Sequence, residues 1–269
     1  VDVLVLKGAG LAHSIYPRPE LRPYADLDLL CRPDGYAKLH RALVTAGYAS
    51  DDLATLPRRH SSLEGYPERA FSSPVAGVRV ELHSGILELG LLEHSHDALW
   101  AAAQTVEVDG RRVPILAPIH QILHLAVHVH RHGYRRLLWL DDLALAMHRW
   151  RDELDWPAVM RLARMEGAGA VLRHAVAVAH VVLGVSPPDL GPPTPEEVLL
   201  HTAYRILWPL GRAQQLQGEE HQRRLRFEPG TGSLLDVAPG LLLLGRRREK
   251  WRILRLYRRP RIRKTGRPF

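Results

Sequence analysis

Cysteine is nearly absent from this chain. Cys31 is the only one among 269 residues, which excludes an intramolecular disulfide and agrees with a reducing, cytoplasmic compartment. Long apolar runs are also missing. Nothing approaches the roughly 18 to 20 consecutive apolar residues that span a bilayer, and the most apolar stretch, 171–185, is interrupted by Arg173, His174 and His180. No basic-then-apolar leader opens the sequence, so no signal peptide is expected. There is no internal repeat, and no low-complexity tract outside a basic C-terminal end. The body carries no excess of positive charge either. Of the formal +8, residues 246–267 hold twelve Lys or Arg against one acid, Glu249, a local +11 that leaves −3 for the rest. A nucleic-acid reading of the high pI therefore rests on that end alone.

What is present is an ordinary globular composition, 46% hydrophobic and 25% charged, long enough for one large domain or two modest ones. The stretch Val3 to Arg32 organises the reading. Val3 to Leu6 is a short apolar, β-branched run expected to form a buried strand. The sequence opens almost directly on it without a preceding cap, so either a further segment precedes it or the strand lies at a sheet edge. Lys7-Gly8-Ala9-Gly10 is expected to turn and admit a ligand close to the backbone. A short helical pattern follows, with Leu11 and Ile15 on one face, and stops at Pro17 and Pro19. Asp26-Leu27-Asp28-Leu29-Leu30 reads as a strand whose alternation puts both carboxylates on one face. Two acids that close repel each other unless a cation lies between them.

Val78 to His83 alternates in the same way, with Val78, Val80 and Leu82 on one face and Arg79, Glu81 and His83 on the other. Laid beside the Asp-Leu-Asp strand, it makes Glu81 the third member of a carboxylate cluster. Such a cluster suits Mg²⁺ or Mn²⁺, ions that take a few carboxylates plus water and substrate phosphates. The glycine turn would then hold phosphates through backbone N–H groups, with Lys7 adding a point charge.

Leu6-Lys7-Gly8, Arg22 to Asp28 and Val80 to His83, together with His124, His128, Trp139 and Asp142 further on, resemble the uncharacterised bacterial nucleotidyltransferases of the DNA polymerase β superfamily. The resemblance covers roughly residues 1–150. It implies an α+β fold, an N-terminal mixed sheet with flanking helices followed by an all-helical domain. It also implies Mg²⁺- or Mn²⁺-dependent transfer of a nucleoside monophosphate from a nucleoside triphosphate, with two divalent ions held by Asp26, Asp28 and Glu81. Lys7, Gly8, Ala9 and Arg22 would contact the nucleotide, and His83, His124, His128 and Asp142 would line the substrate cleft. The acceptor is left open among a small molecule, a peptide and a macromolecule. One departure stands out: the wider superfamily places Gly-Ser or Gly-Gly at the phosphate turn. This chain has Gly8-Ala9 and so lacks that hydroxyl, with Ser14 lying further along.

Three rival readings stay beside this one. Gly8-Ala9-Gly10 with Asp28 twenty residues on echoes a dinucleotide-binding fingerprint, although His13 occupies the position of its third glycine. His120, His124 and His128 recur every four residues and would bind zinc if Asp141 or Asp142 joined them. Finally, the basic end interleaves Trp251, Ile253, Leu254, Leu256 and Tyr257 with its cations. That pattern fits weak nucleic-acid contact and a non-catalytic nucleotide-sensing or partner-binding protein.

For the remaining chain, a helix over Gly35 to Gly47 is expected with Leu39, Leu43 and Val44 as its stripe. A hairpin around Asp109-Gly110 and helices from Pro118, Leu137, Trp156, Ala170 and Pro195 follow. The expected organisation is an αβ nucleotidyltransferase domain at 1–115, a helical domain at 116–225, and a linker with the basic tail at 226–269.

Overall fold

A computed structural model describes residues 2–50, 69–73, 77–83 and 96–207. The Pro229 to Ser233 link and the basic end lie outside the described residues. Among these described residues, seven strands and eight helices follow in chain order. They are β1 (Val3–Leu6), α1 (Lys7–Ala12), β2 (Asp26–Cys31), α2 (Pro33–Thr45), β3 (Ala49–Ser50), β4 (Arg69–Ser72), β5 (Arg79–His83) and α3 (His96–Ala101). Then come β6 (Gln104–Val108), β7 (Arg111–Ile115), α4 (Pro118–Arg131), α5 (Leu137–Arg149), α6 (Trp156–Met165), α7 (Gly169–Leu183) and α8 (Pro195–Leu207). The chain forms two compact units. Among the described residues, one runs to Leu125 and includes Asp142–Asp155; the other holds Ala126–Asp141 and Trp156–Leu207.

The first unit is built on a mixed sheet in the order β3-β4-β5-β2-β1-β7-β6. β1 runs antiparallel to β2 and parallel to β7, so it is an interior strand and not the edge that the sequence left open. β2 runs parallel to β5, and β4 runs antiparallel to β5. One sheet face carries Val5, Leu29, Cys31, Phe71, Val80, Leu82 and Ile115, with Tyr36 buried among them and Leu39 and Leu43 of α2 packed against them. Val44, expected in that stripe, is exposed instead. The inward row of α2 is the buried Tyr36 with the partly buried Leu39 and Leu43, spaced three and four apart, and Val44 lies one position past it. On the other face Leu4, Leu6 and Leu30 are fully buried beside Asp28.

Two local features explain the chain path. The β6–β7 hairpin turns at Asp109 and Gly110, both at positive φ (48° and 74°), as the mirror-image two-residue turn requires. Between β1 and α1 there is no loop: the strand passes into the helix at Lys7, whose φ is 44°. The glycines expected to free a turn are helical and serve close packing. A Cβ on Gly8 would lie 2.7 Å from the Tyr24 Cβ, and one on Gly10 would lie 3.0 Å from the Val5 carbonyl oxygen. The antiparallel β1–β2 pair also removes the dinucleotide reading, which needs a parallel β-α-β unit at that point.

Among the described residues the second unit is helical. α6 packs on α7 and α7 on α8, burying Val159, Met160, Ala163, Leu172, Ala175, Val176, Ala179 and Leu200. Glu197 ties these helices. It accepts hydrogen bonds from Arg164 Nε at 2.7 Å, Arg173 Nε at 3.1 Å and the Thr194 backbone N–H at 3.1 Å. Thr194 Oγ1 in turn accepts from the Glu197 N–H, so the pair caps α8 reciprocally. Among the described residues, no helix is long and apolar enough to cross a membrane.

Candidate metal and nucleotide site

The site grows out of strand register. In the parallel β2–β5 pair, Asp28 lies opposite Glu81 and Leu30 opposite His83. Period-two alternation then turns Asp28, Glu81 and His83 away from the apolar face that holds Leu29, Val80 and Leu82. On the other side of β2, Leu6 lies opposite Asp28, and Lys7 follows at the end of β1. Its ammonium reaches back to 2.8 Å from Asp28 Oδ1. His83 Nε2–H donates to the same oxygen at 2.7 Å, and Arg79 Nη2 lies 3.3 Å from Glu81 Oε1.

Asp28 is 4% exposed, so its charge has to be held from within the protein. Burial opposes ionisation, but the His83 hydrogen bond and the Lys7 charge outweigh it, and the carboxyl is held well below the usual range. The cation beside Asp28 is thus Lys7, while Arg22 pairs with Asp142. Any antiparallel pairing of β1 with β2 brings the end of the first strand beside the start of the second, which is the signal that points to Lys7.

One atom each from Asp28, Glu81 and His83 lies within 4.8 Å of the others. Among the described residues this is the one set of three or more His, Cys, Asp or Glu that could hold a metal ion. The donors fit a divalent cation: two carboxylates and an imidazole converge on one point from adjacent strands, and one of the carboxylates is already held ionised. Asp26 shares the strand and the face, but it is not in this set and lies opposite Arg79.

Other anticipated residues have different surroundings. Arg22 is buried and pairs bidentately with Asp142, Nε to Oδ1 at 2.6 Å and Nη2 to Oδ2 at 2.8 Å, while its Nη1 donates to the Pro23 carbonyl. Tyr16 donates its hydroxyl to Asp142 at 2.7 Å. Arg22 and Asp142 thereby join the β1–β2 connection to α5, a structural tie that neither motif announced. Gly8 and Ala9 lie inside α1, Gly8 against Tyr24. The Ser14 hydroxyl donates to the Gly10 carbonyl at 2.7 Å and serves the helix end. The His120–His124–His128 row builds no zinc site among the described residues. His120 and His124 are buried in the first unit, and burial holds His120 below its ordinary pKa. His128 belongs to the second unit, where its ring lies 4.9 Å from that of Trp139 and 4.6 Å from that of His132.

Residues 1–184 match the model of a family described as uncharacterised nucleotidyltransferase. A solved structure, that of an antigenic nucleotidyltransferase-like protein from Paracoccidioides brasiliensis, is similar at 14% sequence identity and a TM-score of 0.36, over 64% of this chain and 84% of that one. No curated protein matches the chain.

Proposed function

Since the chain belongs to this family of uncharacterised nucleotidyltransferases, we propose that it moves a nucleoside monophosphate from a nucleoside triphosphate to an acceptor hydroxyl or other nucleophile. The observation that carries the reading is the pairing of Asp28 with Glu81 in register on adjacent strands, beside the Lys7 ammonium. Asp28 and Glu81 are the carboxylates that hold divalent cations, and Asp26 lies one pleat earlier on the same face, outside that set. Mg²⁺ or Mn²⁺ held there would bind the triphosphate and neutralise charge building on the departing pyrophosphate. Lys7 orients a phosphate as a point charge. Its left-handed backbone is costly for a side chain other than glycine, which argues that the side chain itself is needed. The protein supplies position and charge more than covalent chemistry. The acceptor belongs to any of the three classes left open above, and the buried, solitary Cys31 suits a cytoplasmic setting.

Incubation of the full-length protein with labelled ATP, GTP, CTP and UTP, with Mg²⁺ or Mn²⁺, tests the proposal through pyrophosphate release and transfer of label. Asp28→Asn and Glu81→Gln should each abolish release while circular dichroism stays that of the parent. Turnover surviving in both variants would remove the mechanism.

A further inference from the structure

We propose that His83 is a direct nitrogen ligand of the divalent cation, making this a mixed oxygen–nitrogen site that favours Mn²⁺ over Mg²⁺. The inference rests on the reading of Asp28 and Glu81 as cation-holding carboxylates and adds the identity of the third donor.

Three observations carry it. β5 presents Glu81 and His83 on one face, two residues apart, so the strand delivers a carboxylate and an imidazole together. A ring nitrogen of His83, a Glu81 oxygen and an Asp28 oxygen lie mutually within 4.8 Å, and His83 Nε2 is 2.7 Å from Asp28 Oδ1. Donors of one octahedral ion at bond lengths of about 2.1 Å are about 3 Å apart, so small side-chain rotations suffice to share a cation. Asp26, the obvious third carboxylate by sequence, is not in the set. The converging donors are therefore two oxygens and one nitrogen.

That composition decides the ion. Mg²⁺ demands oxygen ligands in near-ideal octahedral geometry and gives up its waters reluctantly. Imidazole suits first-row transition ions, while carboxylates and phosphate oxygens suit Mn²⁺ as well. Zinc prefers closed tetrahedral nitrogen and sulfur sets, and among the described residues no second imidazole or thiolate joins this one. Ligation places the lone pair of one ring nitrogen on the metal and leaves the remaining proton on the other. The rival role for His83 is to hold Asp28 by its hydrogen bond without touching the cation.

Pulsed electron paramagnetic resonance of Mn²⁺ on the protein, with a non-hydrolysable analogue of each of the four nucleoside triphosphates in turn, separates these roles. The expected result is nitrogen modulation from a directly bound imidazole, converted to the ¹⁵N pattern when histidine alone is ¹⁵N-labelled. His83→Gln should lose the modulation and narrow the preference for Mn²⁺ over Mg²⁺ by about tenfold or more in a competition titration. Bound Mn²⁺ without nitrogen modulation in the parent protein, but lost in Asp28→Asn, overturns the ligand role and leaves the transferase reading intact. Failure of Mn²⁺ to bind with or without an analogue sinks both. The isotope experiment needs no variant, so a His83→Gln protein that does not fold leaves the answer unchanged.

Discussion

Asp28 Oδ1 accepts from Lys7 and His83 at once, and this sets how the protein responds to acid. Its carboxyl is held below the value it has in an unfolded chain, so its stabilising contribution is complete above about pH 4 and is lost as the pH falls further. The difference in Tm between the parent and Asp28→Asn should therefore shrink steadily from about pH 4 down to about pH 2; a difference that stays constant would contradict the pairing. His130 works on a second window. Burial pushes its pKa down to about 3, so the folded protein keeps it neutral while the unfolded chain takes up a proton. Its contribution is complete above about pH 6.5 and weakens by about 1.4 kcal/mol per pH unit until about pH 3. Proton uptake on unfolding at pH 5 should be smaller by about one proton in His130→Phe than in the parent, which calorimetry in buffers of different ionisation enthalpy measures.

Among the elements, the junction of β1 with α1 and the tie between Arg22 and Asp142 are points where single changes matter. Gly→Ala inside a helix ordinarily stabilises by up to about 1 kcal/mol, but at Gly8 the new methyl would meet Tyr24 Cβ at 2.7 Å. Gly8→Ala should thus destabilise by about 1–3 kcal/mol in urea unfolding. Asp142→Ala leaves the buried Arg22 guanidinium without its carboxylate and should cost about 3–5 kcal/mol, whereas Tyr16→Phe, which removes one hydrogen bond, should cost about 1 kcal/mol. At this scale the sequence was informative where a local pattern decides. Asp109-Gly110 dictates its hairpin, and the helices from Pro118 to Leu207 begin within one residue of where capping and periodicity put them. Pairings set by the third dimension were not readable. Arg22 and Asp142 are 120 residues apart, and nothing local to either says that a phosphate-contact candidate is committed to a carboxylate on another helix. Lys7 lies next to Asp28 only because β1 and β2 are neighbours, which no single strand reveals.

For the molecule as a whole, the sheet and the helical part were both legible from the change in hydrophobic period near residue 115, and the alternation of β2 and β5 already placed the acids on common faces. What the alternation leaves undetermined is which side chain completes the set, because Asp26 and His83 satisfy it equally well and only register separates them. The basic end has a testable consequence of its own. Removal of residues 246–269 should leave pyrophosphate release with a small acceptor unchanged within about twofold, and should abolish any RNA retention that declines steeply with salt; loss of release on truncation would transfer the activity to that end. The pairing of β2 with β5 also constrains how such a protein can change. A slip of that ladder by one position would turn Glu81 and His83 into the oily layer and lift Val80 and Leu82 out of it. A single slip would therefore expose two core side chains and dissolve the Asp28–Glu81 pairing together, so the same packing that keeps the interior apolar also fixes which polar groups meet.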